Sequence, residues 1–287
     1  MTRTLDRLRR RRAAAYGAGP GLDDALDACR RLAAYGMCST VGYSALPGET
    51  PRAVADVHLA AFDRLSGDEL DCVVAVKLSA LHFDAGLFDE LAAAAAASRR
   101  VLHIDALAPD TVDATWLLLE RAAPRGHLGA TLPGRWARSV DDASRLAGLG
   151  LPVRVVKGQW PETTDGGGVD PADGFARVVE RLCGSAESVA IATHDADLLD
   201  GSLRRLMDNG TACSAELLFG LPFRRPVLTA RRLGVPVRAY VPFGHRGATY
   251  GIRDVPRHPA AARWLLEDLL LGGDKTWRGV RRAGARG

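Results

Sequence analysis

Eight short apolar runs alternate with helix-patterned stretches along this chain, and that alternation restricts its fold more than any other feature. The runs occupy residues 37–43, 73–78, 101–105, 128–132, 153–157, 189–193, 212–217 and 237–241. Between them, residues 52–65, 86–99, 109–121, 140–147, 172–183, 195–208 and 226–233 have helical character. The repeat is roughly 25–35 residues, the length of one strand–helix unit, and a series of such units builds a parallel sheet. Eight units without a large insertion predict an α/β fold closed as a (β/α)8, TIM-like barrel, possible distortion included. An open dinucleotide-binding sheet is disfavoured, because no G-x-G-x-x-G follows the first run. Gly166-Gly167-Gly168 is not a phosphate loop, since no Gly-Lys-Ser/Thr follows it.

The expected organisation is an N-terminal helical arm over residues 1–34, a barrel over 35–272 and a basic tail over 273–287. The arm reads as one or two helices broken near residues 17–21. A last amphipathic helix, from about residue 248 or 258 to 271, is expected over the active site. With 47% hydrophobic and 25% charged residues among 287, there is ample material for one large core. No apolar run approaches the roughly 18 residues of a membrane span, and no signal-peptide core follows Arg9, Arg10, Arg11 and Arg12. The net charge of +4 is mild and gathers at the two ends, without the interleaved aromatic residues of a nucleic-acid platform. Five scattered cysteines without C-x-x-C spacing read as buried free thiols of a cytoplasmic protein.

Only three of the 38 basic residues are lysines, Lys77, Lys157 and Lys275. Two of them stand in apolar runs, where a compact ammonium is better explained by a site than by chance. In a parallel barrel the chemistry belongs to the C-terminal ends of the strands. Those positions hold Lys77, Ser79, Asp105, Thr131, Arg154, Lys157, Thr193, His194, Glu216, Tyr240 and His245. Lys77, Arg154 and Lys157 suit an anionic ligand or the electron-rich edge of a flavin; alternatively they pair internally with Asp105 and Glu216. No second histidine stands at metal-ligand spacing from His194, so no metal site is expected.

In order along the chain, Val76-Lys77-Leu78-Ser79-Ala80-Leu81, Ile104-Asp105-Ala106, Arg154-Val155-Val156-Lys157-Gly158, Ala192-Thr193-His194, Tyr240-Val241-Pro242-Phe243-Gly244 and Tyr250-Gly251-Ile252-Arg253 resemble the motifs of the proline dehydrogenase family. The resemblance covers most of residues 22–271. It implies a distorted (β/α)8 barrel, FAD as cofactor, and hydride transfer from a carbon beside an amine nitrogen to flavin N5. An electron acceptor such as a quinone is implied as partner. By the same resemblance Lys77 lies under the substrate carboxylate, with Tyr250 and Arg253 over the substrate; Asp105, from its strand-end position, is a candidate catalytic acid or base, or the group that orients Lys77 or Arg154. Arg154, Lys157 and Gly158, with Thr193 and His194, fall to the cofactor.

This chain departs from the family where substrate and flavin would be gripped. Asp254 replaces the second arginine of the carboxylate clamp, Arg257 an acidic residue, Pro133 a glutamine, Trp160 a tyrosine, and Leu107-Ala108 an acidic pair. Asp254 would repel an α-carboxylate, so a related amino acid or an amine suits the site better than proline. Two other readings stay open. One is a flavin-free lyase, isomerase or hydrolase using a strand lysine on an amino-acid-like substrate. The other is a barrel that binds a ligand without catalysis.

Overall fold

The computed structural model describes residues 18–106, 108–162, 169–221 and 223–245. Eight parallel strands form a closed barrel in sequence order: β1 Cys38–Ser44, β2 Cys72–Val76, β3 Leu102–Ile104, β4 Leu128–Pro133, β5 Val153–Val156, β6 Ser188–Ala192, β7 Ala212–Leu218 and β8 Val237–Gly244. The ring is sealed between β1 and β8, whose register runs from Cys38 opposite Arg238 to Ser44 opposite Gly244. The (β/α)8 expectation is therefore met, and every expected strand lies within a few residues of its position.

Helices α1 Leu22–Ala33, α2 Pro51–Ser66, α3 Ala85–Ser98, α4 Val112–Ala122, α5 Ser139–Gly148, α6 Pro171–Leu182, α7 Ala196–Asp208 and α8 Arg224–Arg232 surround the strands. Local chemistry starts several of them. The side chains of Thr50, Asp84, Asp170 and Asp195 accept first-turn backbone N–H groups of α2, α3, α6 and α7, and Pro51 and Pro171 occupy first-turn positions where no backbone donor is lost. Helix α1 packs against β1 and β8. It buries Ala25, Leu26, Ala28, Cys29 and Leu32, while acidic Asp23 and Asp24 in its first turn and basic Arg30 and Arg31 in its last complement the helix dipole. The residue stretch expected as the final helix lies outside the described residues, as do Tyr250, Arg253, Asp254, Arg257 and Gly166 to Gly168.

The main hydrophobic core lies between the barrel wall and the helices. Phe62, Phe88 and Phe175 are among its largest fully buried side chains. The cysteines differ from the expectation: all five are free, but only Cys29 and Cys72 are buried, and Cys38, Cys183 and Cys213 are partly exposed. Among the described residues, no helix is long and apolar enough to cross a membrane.

Candidate active site

The lumen of the barrel is polar where such lumens are commonly filled by Val, Ile and Leu. Arg154 of β5 is its centre, with only 5% of its side chain exposed. Its Nε and Nη2 donate to the two oxygens of Glu216 on β7 at 2.8 and 2.7 Å, and Nη1 donates to Asp105 Oδ1 at 2.7 Å. Tyr240 of β8 donates its hydroxyl to Asp105 Oδ2 at 2.7 Å, and Thr40 of β1 donates to Glu216 Oε1 at 2.8 Å. Lys77 forms an ion pair with Asp105 Oδ2 at 3.6 Å. The Arg154 guanidinium carbon also lies 5.3 Å from the centre of the Tyr240 ring.

These bonds join β5 to β7, β5 to β3's end, β8 to β3's end and β1 to β7. Since none of these strands are neighbours in the ring, the bonds cross the interior. Small residues make room for them. Residues in register on adjacent parallel strands share a face, so Ala75 and Gly129 point inward with His103, and Ala190 and Ser214 with Arg154. Gly42 is the tightest case: a Cβ there would stand 2.1 Å from the Tyr240 hydroxyl. A longer side chain at 42 and the Tyr240–Asp105 bond exclude each other.

The electrostatics follow from burial. Desolvation opposes the Arg154 charge, but Glu216 and Asp105 outweigh it and hold the guanidinium above its ordinary value. The Tyr240 phenol is pushed well above its usual value by burial, and the adjacent Asp105 adds to the shift. His103, 3.1 Å from Thr131 Oγ1, is pushed well below the usual imidazole value by burial and then by the Arg154 charge. The interior therefore keeps a neutral phenol and a neutral imidazole beside the permanent cations of Arg154 and Arg238.

Around the rim, Lys157 pairs with Asp195 at 3.3 Å, and both side chains are more than a third exposed. Asp195 is anchored because it also caps α7 through the N–H groups of Asp197 and Leu198. Gly158, which follows Lys157, has φ of +90°, a conformation that side chains rarely adopt. A Cβ there would also press within 2.8 Å of Pro133. Thr193 is buried and accepts the Asp195 N–H at 3.2 Å. His194 accepts the Leu218 N–H on Nε2 at 2.9 Å, so its ring proton sits on Nδ1. Trp160 is half exposed, and its carbonyl accepts from Trp136 Nε1 at 2.8 Å.

Of the residues named from the sequence, Lys77, Asp105, Thr131, Arg154, Glu216 and Tyr240 thus converge. Lys157, Thr193 and His194 form a second group at the ends of β5 and β6. Ser79 is exposed on the short 3-10 turn Leu78–Leu81, and His245 donates its backbone N–H to Ser44. The excess of cations is revised: Lys77 and Arg154 pair with Asp105 and Glu216, as the internal-pairing alternative has it, whereas Lys157 pairs with Asp195, which that alternative did not name. Thr40, Gly42 and His103 were not singled out from the sequence. Their signal is the two-residue period of a strand, since each stands an even number of residues from another lumen position.

Fold and cluster together define a (β/α)8-barrel protein with its chemistry at the C-terminal ends of the strands. No protein-family model matches the chain. It is 25% identical to Proline dehydrogenase 1 of Bacillus subtilis subsp. natto, covering 89% of each chain. It is 28% identical to Proline dehydrogenase of Deinococcus radiodurans over 51% of this chain and 49% of that one. In fold it matches proline utilization A from Bdellovibrio bacteriovorus, inactivated by N-propargylglycine, with a TM-score of 0.68 and 17% identity over 90% of this chain. Proline utilization A from Corynebacterium freiburgense matches with a TM-score of 0.64 and 17% identity over 98% of this chain. This chain spans only 32% and 33% of the lengths of those two proteins. The chain is thus similar in sequence, over most of its length, to proteins named proline dehydrogenase, and it shares the barrel fold of the proline utilization A structures.

Proposed function

We propose that the protein is an FAD-dependent oxidoreductase that oxidises a C–N bond of proline or, more in keeping with its own residues, of a related amino acid or amine. The observation that carries this reading is the Lys77–Asp105–Arg154–Tyr240 constellation at the strand ends, in a chain similar over 89% of its length to a named proline dehydrogenase.

The described residues fit a flavin. Among the described residues Lys157 pairs with one carboxylate, which leaves ammonium donors for a carbonyl or phosphate oxygen. Gly158 puts no side chain over the rim. Arg154 is held rigidly and stays cationic, which favours electron-rich groups placed beside it. When bound, the flavin supplies the acceptor for a hydride leaving a carbon next to an amine nitrogen.

The protein's own part is binding and electrostatics. Lys77 would hold an anionic or polar group of the substrate, and Asp105 keeps Lys77 oriented. Tyr240 offers a phenol that stays protonated, with Asp105 fixing its direction. Arg253 and Tyr250 would cover the substrate, and Asp254 beside them would favour an amine or a substituted amino acid. The electrons would pass to an acceptor such as a quinone, and the setting would be the cytoplasm.

The absorbance spectrum of purified protein, before and after denaturation, tests the reading. Flavin bands are expected, with anaerobic bleaching faster for a primary or substituted amine than for L-proline. Protein that stays colourless after incubation with FAD would sink it. Borohydride trapping of a carbonyl compound on Lys77 would then indicate lysine chemistry.

A further inference from the structure

Beneath the groups just assigned lies a carboxylate with no access to substrate. Glu216 is the penultimate inward residue of β7, and only 3% of its side chain is exposed. Its hydrogen bonds lie inside the lumen: it accepts two from Arg154 and one from Thr40. Arg154 Nη1 reaches Asp105 Oδ1, and Asp105 Oδ2 receives Tyr240 and faces Lys77. The connectivity is therefore a single relay from Thr40 through Glu216, Arg154 and Asp105 to the two groups at the mouth.

We infer that Glu216, steadied by Thr40, is a positioning residue: it fixes the Arg154 guanidinium and, through it, the orientation and charge balance of Asp105, Lys77 and Tyr240. This rests on the oxidoreductase reading only for its effect on turnover. A side-on carboxylate matches two parallel guanidinium donors, so it leaves the guanidinium one orientation. In that orientation Nη1 is committed to Asp105. The charges also close: Arg154, Lys77 and Arg238 stand against Glu216, Asp105 and Asp71. An amide at position 216 keeps the shape but turns one acceptor into a donor facing Arg154. Arg154 must then turn or draw more on Asp105, and Lys77 loses part of its partner. Glu216 bonds to neither Asp105 nor Lys77, so its hold on those two groups is transmitted through Arg154.

The scarcity of lysine supplies the test. With only Lys77, Lys157 and Lys275 in the chain, amine acetylation followed by peptide mass spectrometry reads Lys77 in isolation, whether or not flavin is bound. In Glu216→Gln, Lys77 is expected to label about threefold faster, because Arg154 then draws on the Asp105 carboxylate that Lys77 faces. Lys157 and Lys275 are expected to label as in the parent protein. Turnover of the best amine substrate is expected to fall on the order of 100-fold in kcat with little change in KM, as for a group acting on the transition state through others. Thr40→Val should move both readouts the same way by less. It also serves as the second variant should Glu216→Gln fail to fold. Unchanged Lys77 labelling in a folded Glu216→Gln or in Thr40→Val would overturn the inference, and so would equal acceleration at all three lysines. If the parent protein neither binds flavin nor oxidises amines, the oxidoreductase reading fails while the labelling still decides the role of Glu216.

Discussion

The barrel carries two inward arginines, and they are kept in opposite ways. Arg154, near the mouth, has partners largely withdrawn from water: Glu216 is buried and Asp105 part-buried, their side chains 3% and 14% exposed. Arg238, at the N-terminal end of β8, pairs with Asp71, whose side chain is 64% exposed, and donates to the Ser39 carbonyl at 2.6 Å. The lower arginine closes the floor of the lumen and lets solvent share its charge. The upper one takes two carboxylates out of water with it. Burying ions costs several kcal/mol each unless they are well paired, so stability does not explain the upper network. It is the arrangement expected where fixed charges must act on a bound molecule.

That contrast can be broken most forcibly at Arg154. Replacing it by Met strands two buried carboxylates, and a loss of about 3–5 kcal/mol in urea unfolding is expected. Adding Glu216→Gln and Asp105→Asn should recover part of it. A loss below 1 kcal/mol for the single variant would mean that the network is hydrated and the contrast false. Next in size is Gly42→Ala. With its Cβ 2.1 Å from the Tyr240 hydroxyl, the ring must leave Asp105, and overpacking of about 1–3 kcal/mol is expected with loss of amine oxidation. A crystal structure of the variant with Tyr240 still on Asp105 would refute this.

Tyr240→Phe sharpens the comparison at about 1 kcal/mol near neutral pH, the worth of one hydrogen bond. Its alkaline behaviour is more telling. The folded phenol is raised above its unfolded value of about 10, so its contribution is complete below that pH and is lost as pH climbs toward the folded value. Thermal melts from pH 8 to 11 should show a steeper decline for the parent than for Tyr240→Phe. A residual decline is expected from Tyr43, which burial and then Glu49 push up to about 12.

On the acid side the sign reverses. His103 and His58 are both depressed by burial, so stability is lost as pH falls below the unfolded imidazole value of about 6.5. His103→Gln should flatten the melting temperature between pH 7 and 5; an unchanged slope would show that His103 is protonated in the fold without cost. The smallest effect belongs to the floor. Asp71→Asn should cost no more than about 1 kcal/mol, since its carboxylate is largely exposed. A larger loss would erase the distinction between the two arginines.

Much of this molecule was legible in residue order. Strand lengths and the alternation with helices follow from local periodicity and side-chain chemistry. Placing polar residues at strand ends was enough to name Lys77, Asp105, Arg154, Glu216 and Tyr240. Thr40, Gly42 and His103 escaped because nothing local marks them; a threonine, a glycine and a histidine inside strands have many ordinary reasons to be there. The cation excess was misleading for the same reason, since residue order does not tell which carboxylate stands opposite which cation.

The sequence by itself determined the eight strand–helix units, their parallel direction and the set of polar groups delivered to one end, because those depend on hydrophobic period and on short connections. Only the tertiary structure decided that Arg154 is shared between Asp105 and Glu216, that Gly42 yields its space to Tyr240, and that Lys157 meets the cap of α7. Closing the barrel brings strands far apart in sequence within a few ångströms across its lumen. Which bonds form there is set by the register and tilt of the whole ring, not by any single segment.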